Sequence, residues 1–146
     1  MTERGHTAPD LSLFGEEHVR RYLETGGEIG HDWNGVPTLV LTTTGRQSGL
    51  TRQSAMIYGR DGDAHVVIAS QGGAPNHPSW YLNLAADPSV EIDVGPDHLA
   101  VRARTAEGDE RARLWPLMAE VWPNFDVYQQ RTHRQIPVVV LEGPSA

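Results

Sequence analysis

The 146-residue sequence contains no cysteine, which excludes disulfides, thiolate metal sites and a cysteine nucleophile. Long apolar runs are also missing: none approaches the roughly 20 residues needed to span a bilayer. Met1 to Asp10 is polar and has no apolar segment of the kind that marks a secretory signal. Positive charge is scarce, with 12 basic residues against 19 acidic ones and a formal net charge of −7. A general attraction to nucleic acid is therefore not expected, and any anionic ligand must be held by a local cluster of positive groups against the net field. The 7 histidines are scattered, without the close spacing of a zinc site. No local motif around Asp10, Asp32 or Ser54 marks a hydrolytic triad. These absences lead us to expect a cytoplasmic protein without a metal, a monomer or weak dimer, with no nucleic-acid partner and at most a marginal association with membranes.

What is present suits one folded domain. Hydrophobic residues make up 38% of the chain, including four Trp, four Tyr and two Phe. Residues 1–30 read as a polar tail followed by a short amphipathic helix from Leu11 to Thr25, closed by Gly26-Gly27. Glu16 and Glu17 beside Arg20 and Arg21 deny that helix the basic bias of a membrane-surface element, so it is expected to pack on the domain formed by residues 31–146. In that domain Thr38–Thr44, Leu50–Tyr58 and Ala64–Ala69 read as strands, with Asp61-Gly62 as a hairpin signal. Val90, Ile92 and Val94 alternate with acids and predict a half-buried strand, joined by Gly95-Pro96-Asp97 to another at Leu99–Thr105. Ile136–Leu141 is nearly all apolar, which predicts a central strand. Helices are predicted after Pro78 and over Asp109–Trp122, the latter with a break or kink at Pro116. About six strands, mostly hairpin-joined, with two or three helices and no βαβ alternation make a mainly β fold. Its natural architecture is a split β-barrel with helices covering its openings.

Three segments could carry chemistry. In Gly45-Arg46-Gln47-Ser48-Gly49-Leu50-Thr51-Arg52, two arginines flank a tight turn and offer planar donor forks suited to phosphate or carboxylate; a polar hairpin with solvated arginines is the plainer reading. In Ser70-Gln71-Gly72-Gly73-Ala74-Pro75-Asn76-His77, glycines allow backbone N–H groups to approach a ligand, just before a helix N-terminus; an ordinary connection is the alternative. In Trp122-Pro123-Asn124-Phe125-Asp126-Val127-Tyr128, aromatics spaced by three would share one side of a helical turn, either lining a pocket or filling the core.

Taken together these segments resemble the deazaflavin (F420)-dependent nitroreductase family, which includes F420H(2)-dependent quinone reductase-like proteins. The resemblance runs from about Gly35 to Leu141. It is carried by Leu41-Thr42-Thr43-Thr44-Gly45-Arg46-Gln47-Ser48-Gly49 with Arg52, by Ser70-Gln71-Gly72-Gly73 with Asn76, Pro78, Trp80, Tyr81, Leu82 and Asn83, and by Arg131-Thr132 through Ile136-Pro137-Val138. It implies a split barrel that binds coenzyme F420 and transfers a hydride to a quinone, enone or nitro-type organic acceptor. It also implies that Arg46, Gln47, Ser48 and Arg52 meet the coenzyme tail, and that Met56, Ser70, Gln71, Gly72, Gly73, Ala74, Asn76, Trp80 and Asn83 lie at the cofactor. Trp122, Phe125 and Tyr128 match acceptor-facing aromatics, with Tyr128 and Ser70 as the catalytic proton donors. At Gln47 and Gln71 the family often carries lysine. A non-catalytic protein that sequesters F420 or another ligand, and an FMN-dependent split-barrel reductase, are the alternative readings.

Overall fold

β-branched and apolar residues dominate 36–44, 64–68 and 138–141, and in a computed structural model these segments form three staves of a closed antiparallel sheet. The structure describes residues 8–143. The strands are β1 (Asp32–Trp33), β2 (Val36–Thr44), β3 (Thr51–Asp61), β4 (Ala64–Ile68), β5 (Ser89–Val94), β6 (Asp97–Thr105) and β7 (Val138–Glu142). The helices are α1 (Gly15–Thr25), α2 (Ser79–Ala86), α3 (Gly108–Val121) and α4 (Asn124–Gln130), with a single 3-10 turn at Gln71–Gly73. Strand order is β1-β2-β3-β4-β7-β6-β5, and β5 pairs back onto β2 through Val40↔Asp93, Leu41↔Ile92 and Thr42↔Glu91. Six strands therefore close a barrel, and β1 is a two-residue arm on β2.

Strand alternation divides the core in two. Val67, Val139 and Leu141 point into the barrel with Leu39, Leu41 and Ile92. Val66, Ile68, Val138 and Val140 point outward, where α3 and α4 cover them with Leu114, Met118 and Phe125. Burial of each such side chain contributes about 1.5–3 kcal/mol. Strand β7 lies between β4 and β6, central as its apolar run predicts. The β3–β4 loop is Gly62-Asp63, one residue later than the Asp61-Gly62 signal, because Asp61 still pairs with Ala64. Helix α3 runs unbroken through Pro116, with Leu114 and Met118 buried on either side of it. The break falls at Trp122, which is extended (φ −139°, ψ 92°) ahead of Pro123, the conformation that a following proline favours. A fourth helix, α4, begins there.

Strand β3 matters most for the site. It pairs with β2 along Thr51–Ile57, but with β4 only from Tyr58 to Asp61. Between Thr51 and Ile57 its other edge has no strand partner among the described residues, and this is where the barrel is split. Helix α1 packs over this region. Its Tyr22 hydroxyl donates to the Thr38 carbonyl at 2.9 Å and accepts the Gly95 N–H at 2.7 Å, tying α1 to β2 and to the β5–β6 turn. Burial pushes the Tyr22 hydroxyl pKa up to about 12, so it stays protonated.

Candidate functional site

The split in the barrel opens into a cleft of about 760 Å³. One wall is the half-buried stretch of β3 from Ser54 to Ile57, including Met56. The opposite wall is the loop after β4, with Ser70, Gln71 and Gly72, and then Pro78, Ser79 and Trp80 at the start of α2. Aromatic residues close the third side. Trp122, Phe125 and Tyr128 line it from α3 and α4, and Phe14 and Trp33 meet them from α1 and β1. The Trp33 and Trp122 rings lie 5.7 Å apart, Phe14 and Trp33 6.3 Å, and Phe125 and Tyr128 6.2 Å edge to face. The Trp33 indole N–H donates to the Leu13 carbonyl at 2.7 Å, fixing that ring to the lead-in of α1.

The loop after β4 has an unusual backbone. Ser70 is right-handed (φ −81°, ψ −40°), whereas Gln71 has φ +46° and Gly72 φ +64°. A right-handed residue followed by a left-handed one turns successive N–H groups toward a common point, a nest that binds anions or carbonyl oxygens. The strand ladder ends just before it, with Ala69 N–H donating to Pro137 O at 3.0 Å. The N–H groups of Ser70, Gln71 and Gly72 have no acceptor among the described residues. A left-handed glutamine costs about 1–2 kcal/mol, so its surroundings must enforce it. Gly73 turns away from the cleft beneath α4, where a Cβ would lie 2.6 Å from the Tyr128 carbonyl oxygen.

Positive charge sits at one end of the cleft. The Arg46 guanidinium donates to Asn83 Oδ1 at 2.8 Å and to Ser79 Oγ at 3.2 Å, and its backbone N–H also reaches Asn83 Oδ1 at 3.1 Å. Asn83 is buried and donates to the Thr43 hydroxyl at 3.4 Å, so it acts as a post that orients Arg46. Arg52 is exposed on the open stretch of β3 and has no acidic partner among the described residues. Ser48 accepts the Leu50 N–H at 3.1 Å and shapes the turn, and Gln47 and Asn76 are exposed. The structure thus brings Met56, Ser70, Gln71, Gly72, Trp80, Trp122, Phe125 and Tyr128 onto one cleft. Arg46, Gln47, Ser48 and Arg52 lie beyond its lining, and Gly73, Ala74, Asn76 and Asn83 do not face it.

Sequence reasoning missed several residues. Phe14 and His18 line the cleft from the segment read only as a packing helix, and Trp33 from a stretch assigned no element or role. His18 is buried, with Nε2 2.8 Å from the Gly30 carbonyl. Arg134, inside the motif from Arg131 to Val138 but given no role there, donates to three carbonyls of the loop after β4. Among the described residues, no group of three or more His, Asp or Glu side chains is placed to hold a metal ion. No described helix is long and apolar enough to cross a membrane.

This barrel, split along one strand with helices over the opening, is the split-barrel fold of F420-dependent reductases. The chain belongs to the F420H(2)-dependent quinone reductase family, which it matches over residues 14–143. The cofactor that the family uses is coenzyme F420. An F420H(2)-dependent quinone reductase of Mycobacterium tuberculosis (strain ATCC 25618 / H37Rv) is 45% identical over 145 residues, spanning 90% of this chain and 97% of the relative. A solved F420-H2 dependent reductase (FDR-A) superimposes with a TM-score of 0.68 at 39% identity, covering 73% of this chain and 94% of the other. A structure described as a domain-swapped dimer gives 0.71 at 38% identity, covering 86% and 95%. The site fits such a cofactor: unpaired N–H groups for the carbonyl edge of a ring, apolar Met56 and Trp80 for its faces, and arginines for an acidic tail.

Proposed function

We propose that this protein is an F420-dependent oxidoreductase that reduces quinones, with enone and nitro compounds as further acceptors. The observation that carries the reading is the pairing, across one cleft, of the Ser70–Gly72 nest with the aromatic wall of Trp33, Trp122, Phe125 and Tyr128. When bound, the reduced deazaflavin supplies a hydride from a ring carbon. The chain's own part is binding, orientation, exclusion of water and proton delivery. The N–H groups of Ser70, Gln71 and Gly72 hold the polar edge of the ring, while Gly73, Ala74 and Asn76 shape the same loop. Met56 and Trp80 pack on the ring. Arg46, with Gln47, Ser48 and Arg52, holds the acidic tail, and Asn83 orients Arg46. Trp122 and Phe125 seat a flat acceptor, and α1 with Phe14 shields it from water. The second oxygen of a quinone needs a proton as the hydride arrives, and the Tyr128 or Ser70 hydroxyl delivers it.

By this reading α1 is the lid of a single barrel domain, and the protein works in the cytoplasm on a small-molecule acceptor, as a monomer or weak dimer. Titration with F420, then oxidation of the reduced coenzyme with menadione present, is the test. Saturable binding with turnover supports the proposal. Binding without turnover of any quinone would leave a sequestering protein, and an absence of F420 binding with tight FMN binding would replace the cofactor.

A further inference from the structure

We propose that Arg134 is a positioning residue that sets the cofactor-binding shape of the Ser70–Ala74 loop, by gripping it from behind with a guanidinium that has no carboxylate partner. The inference rests on the cleft being an F420 site. Three separate donors of Arg134 reach three carbonyls: Nε to Ala74 O at 2.9 Å, Nη1 to Ala69 O at 3.1 Å and Nη2 to Ser70 O at 2.7 Å. Nη1 also lies 2.9 Å from His77 Nδ1, just beyond the loop. The grip therefore spans both ends of the segment that contains left-handed Gln71 and Gly72. It is anchored in turn, because Gln129 of α4 donates to the Arg134 carbonyl at 2.8 Å and accepts the Ile136 N–H at 2.9 Å.

Two physical consequences follow. A planar fork can satisfy carbonyls in different directions, whereas the donors of a lysine all radiate from one atom. The carbonyls of Ala69 and Ser70 also belong to the peptide units that carry the N–H groups of Ser70 and Gln71. A cation on a carbonyl polarises its peptide and strengthens the opposite N–H as a donor. No carboxylate pairs with Arg134 among the described residues, so this positive charge is not neutralised nearby. It lies directly behind two of the three nest donors, where Gln71 itself brings no charge.

The test compares the whole wild-type protein with Arg134→Ala and Arg134→Lys. F420 affinity is read by fluorescence titration, KM for menadione by turnover, and folding by thermal melting. Arg134→Ala is expected to raise the Kd for F420 at least tenfold with KM for menadione within twofold. Guanidinium at low millimolar concentration should restore much of the lost affinity. Arg134→Lys keeps charge and bulk and should fold, yet its Kd should also rise several-fold, because one ammonium cannot span the three carbonyls. Wild-type F420 affinity in either variant would overturn the proposal while leaving the functional reading intact. So would an affinity loss in Arg134→Ala that only tracks lost folded protein and resists guanidinium. Wild-type protein that fails to bind F420 would overturn the functional reading, and this proposal with it.

Discussion

Adjacent glycines of the loop after β4 should respond to the same substitution in opposite ways. A methyl group on Gly73 would meet the Tyr128 carbonyl oxygen at 2.6 Å, the Arg131 Cβ at 3.0 Å and the Tyr128 Cα at 3.1 Å, and φ there is +84°. The left-handed backbone costs about 1–2 kcal/mol for a residue with a Cβ, and overpacking against α4 adds about 1–3 kcal/mol. Gly73→Ala should therefore lose about 2–5 kcal/mol. Unfolding entropy of about 2.1 cal/mol/K per residue makes 1 kcal/mol worth about 3 °C in a chain of 146 residues, so Tm should fall by about 6–15 °C. At Gly72 φ is also positive, but nothing lies within 4 Å of the added Cβ. Gly72→Ala should cost only the backbone strain, about 1–2 kcal/mol, while placing its methyl beside the nest. Melting curves with and without F420 separate the two: Gly73→Ala loses stability first, Gly72→Ala loses cofactor affinity first. Equal Tm losses, or a Gly73→Ala protein as stable as the wild type, would refute the packing argument.

Arg52→Ala should raise the Kd for F420 by about 10- to 100-fold, the loss of one charge-assisted contact worth about 1.5–3 kcal/mol; unchanged affinity in a fluorescence titration would remove Arg52 from the tail site. Tyr128→Phe should lower kcat more than it weakens F420 binding, and full activity across a pH series would exclude it as proton donor. Burial first, and then the adjacent Arg134 charge, lower the pKa of His77 from its ordinary 6.5. The unfolded chain therefore takes up this proton first as pH falls, so the contribution is whole above about pH 6.5 and fades below it. Melting at pH 7.5 and 5.5 should show a smaller acid loss in His77→Gln than in the wild type, and an identical loss would deny His77 that role.

Much of the barrel was legible because its strands carry strong local signals. The alternation of Val90, Ile92 and Val94 and the unbroken apolar run of β7 are visible in a window of six residues. Closure of β5 onto β2 was not, because a pairing between residues some fifty positions apart leaves no local trace. The spacing of Trp122, Phe125 and Tyr128 left a pocket wall and a core open, and the structure gives them parts of both: they line the cleft, and Trp122 and Phe125 are also buried against the barrel. They do not share one helical turn; Trp122 caps α3 and the other two lie on α4 beyond Pro123, yet all three face the cleft. Trp33 stayed hidden because its short segment His31-Asp32-Trp33-Asn34-Gly35 carries no periodic signal, and its use depends on where the lead-in of α1 comes to rest. Arg134 stayed hidden because its partners are backbone carbonyls, which no residue pattern announces.

The acidic balance of the chain makes the disposition of its arginines informative. All 12 basic residues are arginine. Arg20, Arg21, Arg104 and Arg113 are each committed to a carboxylate: Glu17 and Glu24 on α1, Glu110 and Glu142 around β6, and Asp61 at the end of β3. Arg60 and Arg111, away from the cleft, are held by neutral oxygens instead, and Arg46, Arg52 and Arg134, near the cleft, also lack a carboxylate partner among the described residues. Arg46 is held by neutral oxygens of Asn83 and Ser79, Arg134 by carbonyls, and Arg52 has no acidic partner among the described residues. Neutral ligands fix a guanidinium without cancelling its charge, so positive potential persists here although the molecule as a whole is negative. Within the Debye length of about 10 Å at 0.1 M salt, an anionic tail is attracted by these groups; farther out, the net charge of −7 repels it. Added salt therefore screens attraction and repulsion together. F420 affinity should fall less steeply with ionic strength than the arginine count alone implies, while the loss on removing Arg46 or the exposed Arg52 should be largest at low salt and shrink as salt is added.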